Sequence, residues 1–187
     1  HIIWIGSKSS LDRSIVQDAG FDFYAIPSGK LRRYFSLQNF IDIFKIIAGF
    51  ITAFVFLKKL RPALVFSKGG FVSVPPCAAA ALLKIPVFTH ESDFSPGLAT
   101  KLNLHFAEKL FCAYEPSLNF LSPKYRSKAL VSGNPVRDAF KTADPERGRA
   151  FLGLGNKEKI LLVLGGSLGA KQVNDLIRSC LDELCEY

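Results

Sequence analysis

The chain has 187 residues, 49% of them hydrophobic and 21% charged, enough apolar material for a packed core and a composition that excludes a disordered chain. Its net charge is +8 and its pI about 9.4, which favours an anionic partner without choosing among nucleic acid, anionic membrane and phosphorylated ligands. The length fits one large domain, or one domain with part of another.

Short apolar runs alternate with helical patterns along the chain. The predicted elements, in order, are strand Ile2–Ile5, helix Ser10–Ala19, strand Phe21–Ile26, helix Leu37–Lys59, strand Ala63–Ser67, helix Pro75–Leu83, strand Val87–Thr89, helix Pro96–Leu104, strands Lys109–Ala113 and Ala129–Val131, strand Ile160–Leu164 and helix Ala170–Leu184. Many of the strands are continuous apolar runs, the mark of strands buried on both faces of a parallel sheet. Strand–helix alternation with short loops predicts an α/β fold with helices on both sides of the sheet. A polar, proline-containing stretch around Thr142–Gly148 reads as a break. The domain expectation is therefore residues 1–141, a linker over 142–156, and the start of a second domain over 157–187.

The chain holds no methionine and opens on His1-Ile2-Ile3-Trp4-Ile5-Gly6, a strand already under way, while Leu181–Tyr187 stops inside a helical pattern. Both ends read as those of a piece of a longer protein. Cysteines at 77, 112, 180 and 185 form no Cys-x-x-Cys pair, which suits neither a disulfide framework nor a zinc site; reduced packing residues, and hence the cytosol, are expected.

Residues 40–57, FIDIFKIIAGFITAFVFL, are too interrupted to span a bilayer: Asp42 and Lys45 leave twelve uncharged residues where about 20 are needed. Asp42, Lys45, Gly49, Thr52 and Lys59 trace one narrow polar strip, so the helix is either buried or packed on the sheet with one side offered to lipid. The preceding Lys30, Arg32, Arg33, Tyr34 and Phe35 interleave basic and large apolar side chains, as the headgroup region of an anionic membrane requires. An ordinary core helix with solvated flanks is the competing reading. Nucleic-acid binding is disfavoured, because the positive charge clusters with lipid-like aromatics and not on a recognition helix.

Four segments could carry chemistry, and three of them follow a strand and open toward a helix, where open α/β sheets bind ligands. In Ser67-Lys68-Gly69-Gly70-Phe71-Val72-Ser73 the paired glycines admit close backbone approach and the following helix start favours a phosphate; a tight strand–helix turn is the alternative. In Phe88–Asn103 the strand runs straight into His90, Glu91 and Asp93. Ser95 is then placed as N-cap and Pro96 as first residue of the next helix. The carboxylates there either accept hydrogen bonds from sugar hydroxyls, act as a base, or cap nearby amides; a metal is disfavoured, since one His and two carboxylates so close in sequence rarely all face one ion. In Gly165-Gly166-Ser167-Leu168-Gly169 a glycine turn lacks the G-x-G-x-x-G spacing, but the Ser167 hydroxyl and the helix amides suit a diphosphate. After strand 129–131, Gly133-Asn134-Pro135-Val136-Arg137 presents a guanidinium that either pairs with a diphosphate or lies on the surface.

Taken together and in this order, Gly69-Gly70-Phe71-Val72-Ser73, His90-Glu91-Ser92-Asp93 with Pro96-Gly97-Leu98, Gly133-Asn134-Pro135-Val136-Arg137 and Gly165-Gly166-Ser167-Leu168-Gly169-Ala170 resemble the MurG family. That family is the undecaprenyldiphospho-muramoylpentapeptide β-N-acetylglucosaminyltransferase of bacterial cell-wall synthesis. The resemblance covers nearly the whole chain and implies a GT-B fold of two Rossmann-like domains. It implies transfer of N-acetylglucosamine from UDP-GlcNAc to the muramoyl C4 hydroxyl of lipid I, with inversion and without cofactor or metal. It implies work at the cytoplasmic face of the cell membrane, against an anionic surface. Arg137 and Ser167 would contact the donor nucleotide sugar, and Gly69 and Gly70 would shape the acceptor diphosphate site. Asp93 stands where many family members carry Asn; it would bind sugar hydroxyls equally well but repel phosphate. His90 and Glu91 would either react or orient their loop. The family's first glycine-rich loop and most of its donor domain are absent from this sequence, so these 187 residues are expected not to transfer sugar unaided. A GT-B glycolipid synthase with another acceptor, and a non-catalytic membrane-associated acceptor-binding subunit, are the alternatives.

Overall fold

The computed structural model describes residues 1–8, 12–29, 37–155, 158–166 and 169–185, with the backbone alone at 37–40 and 185. The described chain divides into two compact units, His1–Pro135 and Val136–Tyr187.

In the first unit every ladder is parallel. Strands β1 (Ile3–Ser7) and β2 (Asp22–Ile26) pair with Ile5 opposite Tyr24, and helix α1 (Asp12–Asp18) connects them. A second sheet runs in the order β3 (Val65–Ser67), β4 (Val87–Glu91), β5 (Lys109–Cys112) and β6 (Ala129–Val131). Its crossovers carry helices α3 (Val74–Leu82) and α4 (Leu98–Asn103) and the short α5 (Pro123–Arg126), while the 24-residue α2 (Leu37–Leu60) leads from β2 to β3. The expected parallel α/β architecture is thus formed. Thr89, His90 and Glu91 are buried at the end of β4, so this central strand is enclosed along most of its length.

Small side chains set the packing. Ala53 and Leu57 of α2 meet Cys77, Ala79 and Ala80 of α3 over Val87 and Ala107, all buried. Gly49 brings α2 hard against the Pro27 carbonyl, where a Cβ would collide. The polar strip expected on α2 is therefore partly an inward line: Asp42 and Gly49 are buried, because the missing side chain of glycine serves close approach and not polarity. The outward face is apolar. Phe44, Ile47, Ile51 and Val55, spaced three and four apart, are all exposed. Leu104, Leu110, Cys112 and Leu121 form a second cluster beneath α5.

The second unit departs from expectation in three places. Residues 160–164 form no strand, and Leu161, Leu162 and Leu164 are exposed; no described strand lies alongside to accept their ladder bonds, and an unpaired apolar run gains nothing from extended geometry. The stretch read as a linker contains helix α6 (Pro145–Leu152), capped by the Asp144 carboxylate, which accepts from the Glu146 amide at 2.9 Å, and closed by Gly153 at φ 69°. The last expected helix is broken at Cys180 into α7 (Lys171–Ser179) and α8 (Leu181–Cys185).

Candidate functional site

The chemistry-bearing residues of the first unit gather at the carboxyl ends of β3 and β4. β3 ends at Ser67, and the chain then turns through Lys68, Gly69 and Gly70 into a 3-10 turn, Phe71–Ser73, that runs into α3. Gly69 and Gly70 have φ of +81° and +78°, and Gly70, with ψ 154°, lies in a region that glycine alone occupies readily. Pro75 and Pro76 occupy the first turn of α3, where their missing N–H groups cost nothing.

This turn is held by hydroxyls. The Gly69 amide donates to Ser67 Oγ at 3.1 Å, and Ser73 Oγ donates to the Gly70 carbonyl at 2.8 Å. Beneath them Asn103, fully buried at the end of α4, donates from Nδ2 to Ser67 Oγ at 3.0 Å and to Ser73 Oγ at 2.8 Å. Among the described residues no group accepts from the Gly70 amide.

The end of β4 is arranged around Glu91 and His90. Glu91 Oε1 accepts from the Asp93 amide at 2.9 Å and Oε2 from the Gly97 amide at 3.0 Å. The carboxylate thereby closes loop 92–97, which is the amide-capping alternative read from the sequence. The helix start also differs: α4 begins at Leu98, two residues beyond the Ser95/Pro96 start expected, because Gly97, whose amide donates to Glu91, is extended at φ −67° and ψ 167° and serves as the N-cap. His90 is buried with both ring nitrogens engaged. Nε2 lies 3.0 Å from the Gly133 carbonyl, which can only accept, so Nε2 carries the proton. Nδ1 then accepts from Lys68 Nζ at 2.8 Å, and the same ammonium donates to Ser92 Oγ at 3.0 Å. Burial lowers the pKa of Lys68, with the nearby Glu91 charge opposing. Asn134 Nδ2 donates to the Ser92 carbonyl at 3.3 Å, so the turn after β6 is tied to the end of β4 at two points.

Gly69, Gly70, His90 and Glu91 are therefore brought together, and Asp93 stands exposed in the loop that Glu91 closes. Arg137 is an exposed residue of the second unit, just before a 3-10 turn at Asp138–Phe140. Ser167, and Lys30, Arg32, Arg33, Tyr34 and Phe35, lie outside the described residues. Sequence reasoning passed over Lys68 and Asn103. Lys68 was visible as the residue before the glycine pair, whereas Asn103 bonds to residues 30 and 36 positions away.

The profile of the glycosyltransferase family 28 N-terminal domain matches residues 1–112. The chain belongs to glycosyltransferase family 28. Within family 28 its relatives bear out the resemblance read from the four motifs. A Treponema denticola protein named UDP-N-acetylglucosamine–N-acetylmuramyl-(pentapeptide) pyrophosphoryl-undecaprenol N-acetylglucosamine transferase is 53% identical over 100% of this chain and 50% of its own length. A Staphylococcus saprophyticus protein of the same name is 48% identical over 98% of this chain and 51% of its own. The chain thus spans about half the length of the curated relatives it matches. Among solved structures, Acinetobacter baumannii MurG superposes with a TM-score of 0.57 at 25% identity, over 75% of this chain and 38% of that one. A Neisseria meningitidis UDP-GlcNAc 2-epimerase bound to UDP-GlcNAc superposes with a TM-score of 0.55 at 14% identity, over 99% of this chain and 62% of that one, a likeness of fold. The GT-B reading of the fold class stands on these neighbours.

Proposed function

We propose that this chain is the acceptor-side part of an inverting transferase that moves N-acetylglucosamine from UDP-GlcNAc to the muramoyl C4 hydroxyl of lipid I in peptidoglycan synthesis. The observation that carries this reading is the Lys68-Gly69-Gly70 turn, on a chain 53% identical to a transferase of that name. It combines a fixed ammonium, two glycines of positive φ and an amide without a partner among the described residues, at the carboxyl end of a parallel sheet, which is the chemistry a diphosphate needs.

The roles follow from the bonds each group has already made. His90 and Glu91 have their polar atoms committed to the protein, so they position the loop and do not abstract a proton. Asp93, exposed, is the group left to accept from sugar hydroxyls. Arg137 and Ser167 serve the donor nucleotide sugar, the guanidinium offsetting charge on the departing diphosphate. No metal enters this reading.

The protein works at the cytoplasmic face of the membrane in this proposal. Among the described residues no helix is long and apolar enough to cross a bilayer, while the exposed face of Phe44, Ile47, Ile51 and Val55 offers lipid a continuous apolar stripe. The basic and aromatic residues from Lys30 to Phe35 precede that helix in the sequence.

The test is transfer of GlcNAc to a muramoyl prenyl diphosphate by the full-length protein that carries this sequence. Turnover is expected, unchanged by chelator and reduced about 100-fold or more by Arg137→Ala; the 187 residues by themselves should give none. A folded full-length protein that binds the acceptor yet transfers nothing from UDP-GlcNAc would replace this reading with that of a binding subunit. Partition onto phosphatidylglycerol vesicles should fall at least tenfold in Ile47→Ser/Ile51→Ser, and unchanged partition would remove the membrane face from the proposal.

A further inference from the structure

We propose that the pocket between α2, α3 and α4 holds the first isoprene unit of a prenyl diphosphate whose diphosphate sits on the Lys68-Gly69-Gly70 turn. The inference rests on the acceptor-side reading above and adds to it a site for the lipid.

The pocket encloses about 170 Å³ and is walled by Ile46, Phe71, Val74, Leu98 and Leu102, with Gly29 at one side. No lining side chain carries a polar atom. A sugar, a peptide or a nucleobase placed there would give up hydrogen bonds to water and find few in return, a cost that disfavours them as occupants. An apolar group meets no such cost. Cavities of about 150 Å³ take up benzene, so this one is sized for about one five-carbon unit.

Its position selects the kind of apolar group. Phe71, one wall, follows Gly70 directly in the chain. A Cβ on Gly69 would touch Thr100 Oγ1 at 3.4 Å, so the glycine turn rests on α4 one residue from Ala99, another wall of the pocket. A diphosphate and its first isoprene unit are joined through one ester oxygen, and a ligand of that build needs a phosphate-friendly turn and an apolar pocket side by side. The exit in this proposal runs along α2. Ile46 lines it, and its neighbours Ile43 and Ile47 on α2 are exposed. The remainder of a long prenyl chain would leave over the apolar face of α2. The relatives' printed acceptor, a pyrophosphoryl-undecaprenol, is a molecule of this class.

The experiment measures binding of inorganic diphosphate, geranyl diphosphate and geraniol to the 187-residue chain by calorimetry. Geranyl diphosphate is expected to bind about 10- to 100-fold more tightly than inorganic diphosphate, from burial of the first isoprene unit. Ala99→Phe, which fills the pocket, should abolish that preference and leave inorganic diphosphate binding unchanged. Leu102→Ala, which strips one wall, should cut the preference several-fold and serves if the larger side chain prevents folding. Equal binding of the two diphosphates, or a preference that survives both substitutions, overturns the pocket assignment while the diphosphate site stands. Geraniol binding that is lost in Ala99→Phe, with no diphosphate binding at all, keeps the pocket and removes the diphosphate reading. Binding of none of the three overturns both.

Discussion

Lys68 Nζ donates to His90 Nδ1 across 2.8 Å, joining the turn after β3 to the end of β4. The bond fixes the imidazole with its proton on Nε2, and that proton in turn holds the Gly133 carbonyl at 3.0 Å. One ammonium therefore governs the glycine turn on one side and the segment leading out of the first unit on the other. Lys68→Met should cost about 1 kcal/mol of stability, a charge-assisted bond discounted for the exposure of the lysine. Nitrogen NMR of the His90 ring should show the Nε2–H form in the parent chain, with Nδ1 an acceptor. A proton found on Nδ1 would show the linkage to be wrong.

Glu91 makes a sharper case, because its bonds are to amides that have no substitute. Both carboxylate oxygens are used, on Asp93 and Gly97, and the side chain is buried. Glu91→Ala should destabilise the chain by about 2–4 kcal/mol, for two amides left unpaired, and Glu91→Gln, which retains one good acceptor, by about half as much. Urea denaturation of the two variants checks the order. Equal and small losses would mean that water replaces the carboxylate and that the loop does not depend on it.

Two glycines should fail for different reasons. Gly49 has ordinary helical geometry but no room: a Cβ there runs into the Pro27 carbonyl, so Gly49→Ala should cost about 1–3 kcal/mol through displacement of α2. Gly70 has room, with nothing within 4 Å of a Cβ, but holds φ 78° and ψ 154°. Gly70→Ala should cost about 1–3 kcal/mol from backbone strain alone. Asparagine, which tolerates left-handed helical geometry but not this region, should not rescue it. Thermal melts of Gly49→Ala, Gly70→Ala and Gly70→Asn separate the two causes.

The sequence carried what local pattern encodes. Continuous apolar runs located β4 and its neighbours, because strands buried on both faces need no alternation, and the run into His90 and Glu91 marked where the sheet ends. Tertiary contact decided the rest. Nothing near Pro96 announces that Glu91, six positions back from Gly97, takes that amide, or that Gly97 is the extended N-cap of the next helix. Asn103 reads as one more polar residue at a helix end until its partners at 67 and 73 are seen. Residues 160–164 have the composition of a strand, yet strand formation belongs to a pair and not to a segment. The helix at Pro145–Leu152 is the opposite case: Asp144, Pro145 and Gly153 are start and stop signals visible in the sequence, outweighed there by the polarity of the stretch.

Cys77 gives a pH dependence whose sign is fixed by its burial. The thiol is fully enclosed among α2 and α3 side chains, and desolvation pushes its pKa from 9.0 up to about 12, against a smaller opposing hydrogen bond from Ser67. Between these values the folded chain keeps a proton that the unfolded chain has lost. The contribution to stability is thus fully present below pH 9 and is lost as pH rises toward 12, on the order of 4 kcal/mol in all at about 1.4 kcal/mol per unit. Cys112, also raised by burial and by the Glu91 charge, acts in the same direction. Urea melts at pH 8, 9 and 10 should show the stability of the parent chain falling relative to Cys77→Ala only above pH 9. At pH 8 a thiol reagent should modify the partly exposed Cys180 while Cys77 and Cys112 stay protected. Rapid labelling of Cys77 in the native state would mean that the packing of α2 on α3 opens locally, and the pH slope should then be absent as well.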